Sequence, residues 1–277
     1  LITDTAMAAA ARGARPNRLS ILIYHRVLQK PDPFVRGDPD ISTFDWQMAL
    51  LAKHFNVLPL EEANQRRAAG TLPARAVAIT FDDGYADNYE TALPILQKYG
   101  LTATFFIASE FLNGGRMWND TVTETLRRLP GDLPEKQARA LWSLLDSNGE
   151  TFRPGPLKST ADRAKALPGI LTRFKYLPLA DRLDQVNKFA ELAGVDLPTD
   201  LMMTTAQLKM LADAGMEIGG HTVNHPILAT LNAEEASQEM KRNKDWLEKT
   251  LNRPVSSFAY PNGRPNQDFN AENPTSE

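Results

Sequence analysis

Apolar residues along this chain gather into short runs separated by longer, helix-spaced stretches. Six runs are rich in β-branched or aromatic side chains and end near Gly, Pro, Asp or His: Leu19–Tyr24, Phe55–Leu58, Ala76–Phe81, Leu101–Ala108, Met216–Gly219 and Val255–Tyr260. Most are nearly continuous in apolar residues instead of alternating. That predicts strands buried on both faces, as in a parallel sheet or barrel. Between them, Thr43 is placed to cap a helix carrying Trp46, Leu50 and Leu51, and Asn88–Tyr99 stops at Gly100 with Pro94 as a bend. Thr204 or Thr205 opens Ala206–Ala214, closed by Gly215. Asn232 opens a long helix to about Leu251, with Glu234 and Glu235 in its first turn, where carboxylates favour the helix dipole. The alternation of strand and helix predicts an α/β fold on a parallel sheet.

From about 110 to 204 the pattern changes. Helix formers dominate, prolines punctuate, and no strand is predicted, so this stretch is expected to be a helical insertion with 149–158 as an exposed loop. The predicted organisation is an extension over 1–18 and one domain over 19–277 that carries the insertion. A chain of 277 residues, 42% hydrophobic, is large enough for such a core.

Charge and composition narrow the chemistry. The net charge is −3 with scattered basic residues, which argues against nucleic acid as a partner. The absence of cysteine excludes disulfides, thiolate metal sites and a cysteine nucleophile. No apolar run is long enough to span a bilayer. The alanine-rich start carries Asp4, Arg12 and Arg15 and does not read as a signal peptide, so the compartment stays open.

Four strand ends carry candidate chemistry. In Thr80-Phe81-Asp82-Asp83-Gly84 a strand runs into adjacent carboxylates. Neighbouring side chains on a strand point to opposite faces, so the two converge only if the chain turns there, which Gly84 permits. In Gly219-Gly220-His221-Thr222-Val223-Asn224-His225-Pro226, two of the four histidines follow another strand, and the glycines, β-branched residues and Pro226 argue for a tight turn over a helix. Each pair lies at the C-terminal end of a predicted strand, the catalytic edge of a (β/α) barrel. One carboxylate with two neutral imidazoles makes an open metal site. Ser257-Phe258-Ala259-Tyr260-Pro261-Asn262-Gly263 is a third strand end, where backbone N–H groups could face an oxyanion and Tyr260 could line the site. His25 closes the first strand and faces the same edge.

At these residues the chain resembles the polysaccharide deacetylase family, the NodB-homology carbohydrate esterases. Thr80–Gly84 resembles the family's first motif and His221–His225 its second, with three residues between the histidines. Phe258–Gly263 is similar to the third, and Tyr24-His25-Arg26-Val27 to the start of exopolysaccharide-linked members. The resemblance implies a distorted (β/α) barrel, one divalent metal ion with zinc the first choice, and hydrolysis of N-acetyl groups on an N-acetylhexosamine polysaccharide or oligosaccharide. It implies Asp83, His221 and His225 as metal ligands and Asp82 as general base. His25 is then the histidine left to protonate the leaving amine, and the Asn262 N–H is placed for the oxyanion beside Tyr260. The resemblance leaves the location open, a cell-envelope or extracytoplasmic one being compatible with it.

Two departures stand out. Ser256 and Ala259 occupy the approximate places of the third-motif arginines. The family's later Asp–Trp and histidine motifs have no counterpart after Gly263, so a barrel incomplete at its C-terminal side is expected. The rival expectations are a non-catalytic carbohydrate-binding relic of a deacetylase and a two-histidine, one-carboxylate iron oxygenase.

Overall fold

The computed structural model describes residues 17–146, 152, 157–264 and 268–269. Most of the predicted 149–158 loop and of the 1–18 extension lies outside these residues. The chain divides into two compact units. One comprises the described residues up to Pro31, Gly37–Gly114, and those from Asp200 onward; the other comprises Asp32–Arg36 and Gly115–Thr199.

The first unit is built on five parallel strands: β1 (Leu19–Tyr24), β2 (Asn56–Val57), β3 (Ala76–Phe81), β4 (Thr104–Ile107) and β5 (Glu217–Gly220). They follow the order β1-β3-β4-β5, with β2 paired to the N-terminal half of β3, and the sheet does not close among the described residues. Helices α1 (Ile41–His54), α2 (Leu60–Ala68), α3 (Leu93–Lys98), α8 (Thr205–Asp213) and α9 (Ala233–Leu251) belong to this unit. The fold is the expected α/β class with a parallel sheet.

Burial differs between strands. Every residue of β3 and β4 is buried, as continuous apolar runs require. β1 departs from that expectation: Ile21 is 49% and Ile23 64% exposed. Among the described strands β1 pairs only with β3, so it is an edge, and an apolar run alone does not distinguish an edge from an interior strand. The core behind the sheet is aromatic. Phe81 stacks on Phe105 at 4.8 Å and on Tyr24 at 5.4 Å, and Phe44 meets both Tyr24 and Phe81 edge-on.

Three local expectations are corrected. Helix α1 begins two residues before Thr43, because Asp40 accepts the Thr43 N–H at 2.9 Å and acts as the cap. Its buried residues are Phe44, Met48, Leu50 and Leu51, as expected for the two leucines, while Trp46 turns outward at 49% exposure. The run Val255–Tyr260 forms no strand: only Phe258 bridges Gly220, through Gly220 N–H to Ser257 O and Ala259 N–H to Gly220 O. Strand β5 ends at Gly220, so little extended chain remains for pairing. At α8 and α9 the expected caps hold, each as a capping box, Thr204 with Gln207 and Asn232 with Glu235.

The second unit is helical among its described residues: α4 (Trp118–Arg128), α5 (Glu135–Ser143), α6 (Thr160–Lys175) and α7 (Leu179–Ala193). Its own core includes Val122, Leu126, Leu141, Ile170, Phe174 and Phe189. Asp32 joins it through an ion pair with Arg127 at 2.7 Å.

Candidate metal site

Strand β3 carries its pairing one residue past Phe81, where the Asp82 N–H donates to Tyr24 O at 2.9 Å. The chain then turns. Asp83 takes a left-handed backbone (φ +78°) and Gly84 follows at +94°. This is how adjacent aspartates come to serve one region: the strand's alternation is broken between them. Asp83 is buried at 5% exposure.

Strand β5 reaches its end by close approach. A Cβ on Gly219 would lie 2.5 Å from the Phe106 ring and 2.9 Å from Ser257 O, and one on Gly220 would lie 2.7 Å from Asn243 Oδ1. Only glycine fits at both positions. The chain then tightens into the turn holding the histidines, with Thr222 (φ +66°) and His225 (φ +49°) both left-handed. Thr222 Oγ1 accepts the His225 N–H at 3.0 Å, closing the turn.

These two strand ends meet. His221 Nε2 lies 3.5 Å and His225 Nε2 3.4 Å from Asp83 Oδ1. One ligand atom from each of the three residues falls within 4.8 Å of the others. The His221 Nδ1–H donates to Ala259 O at 2.8 Å, which leaves its Nε2 as a lone pair aimed at the cluster. Asp83 Oδ1 is buried with no hydrogen-bond partner. A buried acceptor without a donor, faced by imidazole nitrogens, is the arrangement a divalent cation satisfies. The donor set therefore fits a metal such as zinc.

Electrostatics agree with a cation-seeking cluster. Burial pushes the Asp83 carboxyl up, but contact with His221 and the charges of His225, His221 and His25 outweigh it and hold the group well below the usual carboxylate range. Burial alone would lower the His221 pKa; contact with Asp83 and the charges of Asp82 and Asp83 raise it instead. Asp82 is raised, chiefly by burial and further by Asp83, against the lowering pull of His221 and His25.

The remaining candidates are placed unequally. His25 follows β1 on the surface and acts electrostatically on both Asp82 and Asp83. Its carbonyl is held by Asn88 Nδ2 at 2.8 Å, and the next residues are pinned by Asp87, which takes Arg26 Nε at 2.9 Å and the Val27 N–H at 3.2 Å. Tyr260 packs its ring on Phe269 at 4.3 Å and edge-on to Phe258 at 5.2 Å. Asn262 lies exposed in a left-handed turn (φ +67°) and hydrogen-bonds none of the three cluster residues among the described ones.

The sequence pattern missed the outer support of the histidine turn. Glu239 and Asn243 reach it from α9: Glu239 accepts the backbone N–H groups of Val223 and Asn224, and Asn243 accepts that of His221. The available signal was two polar residues four apart among the buried positions Ala236, Met240 and Leu247.

Comparison with known proteins supports the same assignment. The polysaccharide deacetylase family profile matches residues 69–131 and 185–273, more than half of the chain. YxkH of Bacillus subtilis, classed by name with the polysaccharide deacetylases, is 35% identical over 94 residues, covering 34% of this chain and 33% of that protein. The poly-beta-1,6-N-acetyl-D-glucosamine N-deacetylase of Staphylococcus epidermidis is 31% identical over 117 residues, covering 37% of this chain and 40% of that enzyme. The matches thus span between a third and two fifths of these relatives' own length. Among solved structures, the Streptococcus pyogenes deacetylase PplD in complex with acetate aligns with a TM-score of 0.55 at 22% identity, covering 92% of this chain and 78% of that one. A de-N-acetylase from Aggregatibacter actinomycetemcomitans aligns with a TM-score of 0.52 at 16% identity, covering 90% of this chain and 81% of that one. At such identities the structural likeness concerns the fold alone. It is the sequence match, spanning both strand ends that form the cluster, that carries the conclusion: this chain belongs to the polysaccharide deacetylase family.

Proposed function

We propose that this protein is a metal-dependent hydrolase that removes N-acetyl groups from an N-acetylhexosamine-containing polysaccharide or oligosaccharide. The observation that carries the reading is the convergence of Asp83, His221 and His225 on one point, with a buried carboxylate oxygen left unsatisfied there. In this reading the three residues hold one divalent metal, zinc being the first choice for two imidazoles and a carboxylate. When bound, such a metal supplies Lewis acidity and lowers the pKa of a coordinated water toward about 7.

The chain's own residues divide the proton work. Asp82, beside ligand Asp83, is the base that takes the proton from the attacking water. His25 stands on the same edge and is the group assigned to protonate the departing amine. The Asn262 N–H is assigned to the acetyl oxygen as it gains charge, with Tyr260 beside it. The Ala259 carbonyl keeps His221 in the tautomer that leaves Nε2 unprotonated.

Metal titration of Asp83→Ala and His221→Ala tests the ligands. Both should lose stoichiometric zinc binding, and retained binding refutes the assignment. Asp82→Asn should keep the metal and lose acetate release from an N-acetylglucosamine oligomer. A second reading, glycan binding without turnover, is favoured by the packing of the Tyr260 ring on Phe269, which leaves that ring engaged away from the cluster. Metal and oligosaccharide binding without acetate release would establish it.

A further inference from the structure

We propose that α9 is the outer support of the metal-binding turn, with Glu239 and Asn243 acting as positioning residues for His221 and His225. The inference rests on the metal-site reading above and adds residues outside its motifs.

Glu239 and Asn243 lie four apart on one face of α9, and both are buried, at 9% and 0% exposure. One Glu239 oxygen accepts the Val223 N–H at 3.0 Å and the Asn224 N–H at 2.8 Å; the other accepts Asn224 Nδ2 at 2.7 Å. Asn243 Oδ1 accepts the His221 N–H at 3.1 Å, while its Nδ2 donates to Ile107 O at 3.0 Å and Ser109 Oγ at 2.9 Å. Asn243 therefore ties the first histidine to the end of β4, and Glu239 grips Val223 and Asn224, two of the three residues between the histidines.

These bonds fall where the backbone needs them. Thr222 and His225 both hold left-handed conformations, which a β-branched residue adopts only when its surroundings impose it. Glu239 forms no ion pair with Lys or Arg among the described residues; its acceptor capacity goes to the turn. A carboxyl group is tolerated at this depth where N–H groups donate to it, and the three donors that reach Glu239 all come from the turn. With the turn held, both Nε2 atoms stay near Asp83 Oδ1 before any metal arrives. Ligand-supporting contacts of this kind tune affinity by about 10–100-fold.

The same helix supplies a control. Glu248 accepts the Val255 N–H at 3.0 Å, a bond of the same type made outside the histidine turn, four residues before Ala259.

The test is titration of the full chain with Co2+, read by its visible absorption, alongside urea unfolding of the metal-free protein. Glu239→Gln should weaken Co2+ binding about tenfold or more and change the band shape. Glu248→Gln should leave both unchanged even where it loses comparable stability. Asn224→Ala removes one bond to Glu239 and keeps the backbone pair, and should weaken binding by a smaller factor. Unchanged Co2+ affinity and spectrum in Glu239→Gln, or an equal loss in Glu248→Gln, overturns the positioning role. If Glu239→Gln does not fold, unchanged affinity in Asn224→Ala overturns it. Binding that is lost in Asp83→Ala but unaltered in Glu239→Gln sinks this inference and leaves the metal reading standing. An unaltered chain that binds no Co2+ sinks both.

Discussion

Thr222 shows most clearly how much the candidate site asks of single residues. It is fully buried, β-branched and left-handed, a combination that costs on the order of 1–3 kcal/mol. What it returns is an acceptor for the His225 N–H at 3.0 Å. Thr222→Val keeps the shape and the strain and strands that N–H, so it should lower unfolding free energy by about 1–3 kcal/mol in urea titration. Acid should also act at this scale. His221 must be neutral to bind a metal, yet its pKa in the metal-free chain is raised by contact with Asp83. Protons then compete with the metal above the ordinary histidine value. Apparent zinc affinity should climb as pH rises past about 6.5 and level off only at higher pH. Affinity independent of pH across that range would contradict histidine ligation.

At the scale of elements, β5 organises the end of the sheet opposite the histidines. Its first residue, Glu217, accepts the Leu60 N–H at 2.9 Å and the Thr104 hydroxyl at 2.7 Å through one oxygen, and the Ser257 hydroxyl at 2.7 Å through the other. Helix α2 has no side-chain cap of its own, because Pro59 occupies that position. Glu217 caps it from a distant strand. Glu217→Ala should therefore cost about 1–3 kcal/mol, more than loss of an ordinary surface carboxylate, by chemical denaturation. At the other end of the strand, Gly219→Ala drives a methyl against the Phe106 ring and the Ser257 carbonyl. It should destabilise by about 1–3 kcal/mol and displace the His221 turn, seen as a fall in zinc affinity as well as in Tm.

For the molecule as a whole, the aromatic core behind β3 links stability to the site. Phe81 is fully buried, meets Tyr24, Phe44 and Phe105, and is followed directly by Asp82. Phe81→Ala should cost about 3–5 kcal/mol by thermal or denaturant unfolding, while Ile23→Ala on the exposed edge of β1 should cost well under about 1 kcal/mol. Equal losses would mean that β1 is covered in solution. The helical unit has its own core around Leu126, Ile170 and Phe189.

How far the sequence reaches follows from which forces are local. The run of apolar residues set β1 and β3 at their observed bounds, and Thr204 and Asn232 marked their helices, because strand pattern and capping depend on near neighbours. The strand-end carboxylates and histidines were legible for the same reason: glycines beside strong ligand types are visible without a fold. Other features depended on distant partners. Trp46 faces outward because of the register α1 takes on the core, and Val255–Tyr260 stays a single bridge because β5 ends at Gly220. Glu239 and Asn243 resemble the solvated face of a helix until α9 packs against the turn. The chain by itself determined which residue types suited to a cation stand at the strand ends. Only the parallel pairing of β3, β4 and β5, driven by burial of their apolar side chains, brought Asp83 within 3.5 Å of His221 and oriented the lone pairs inward.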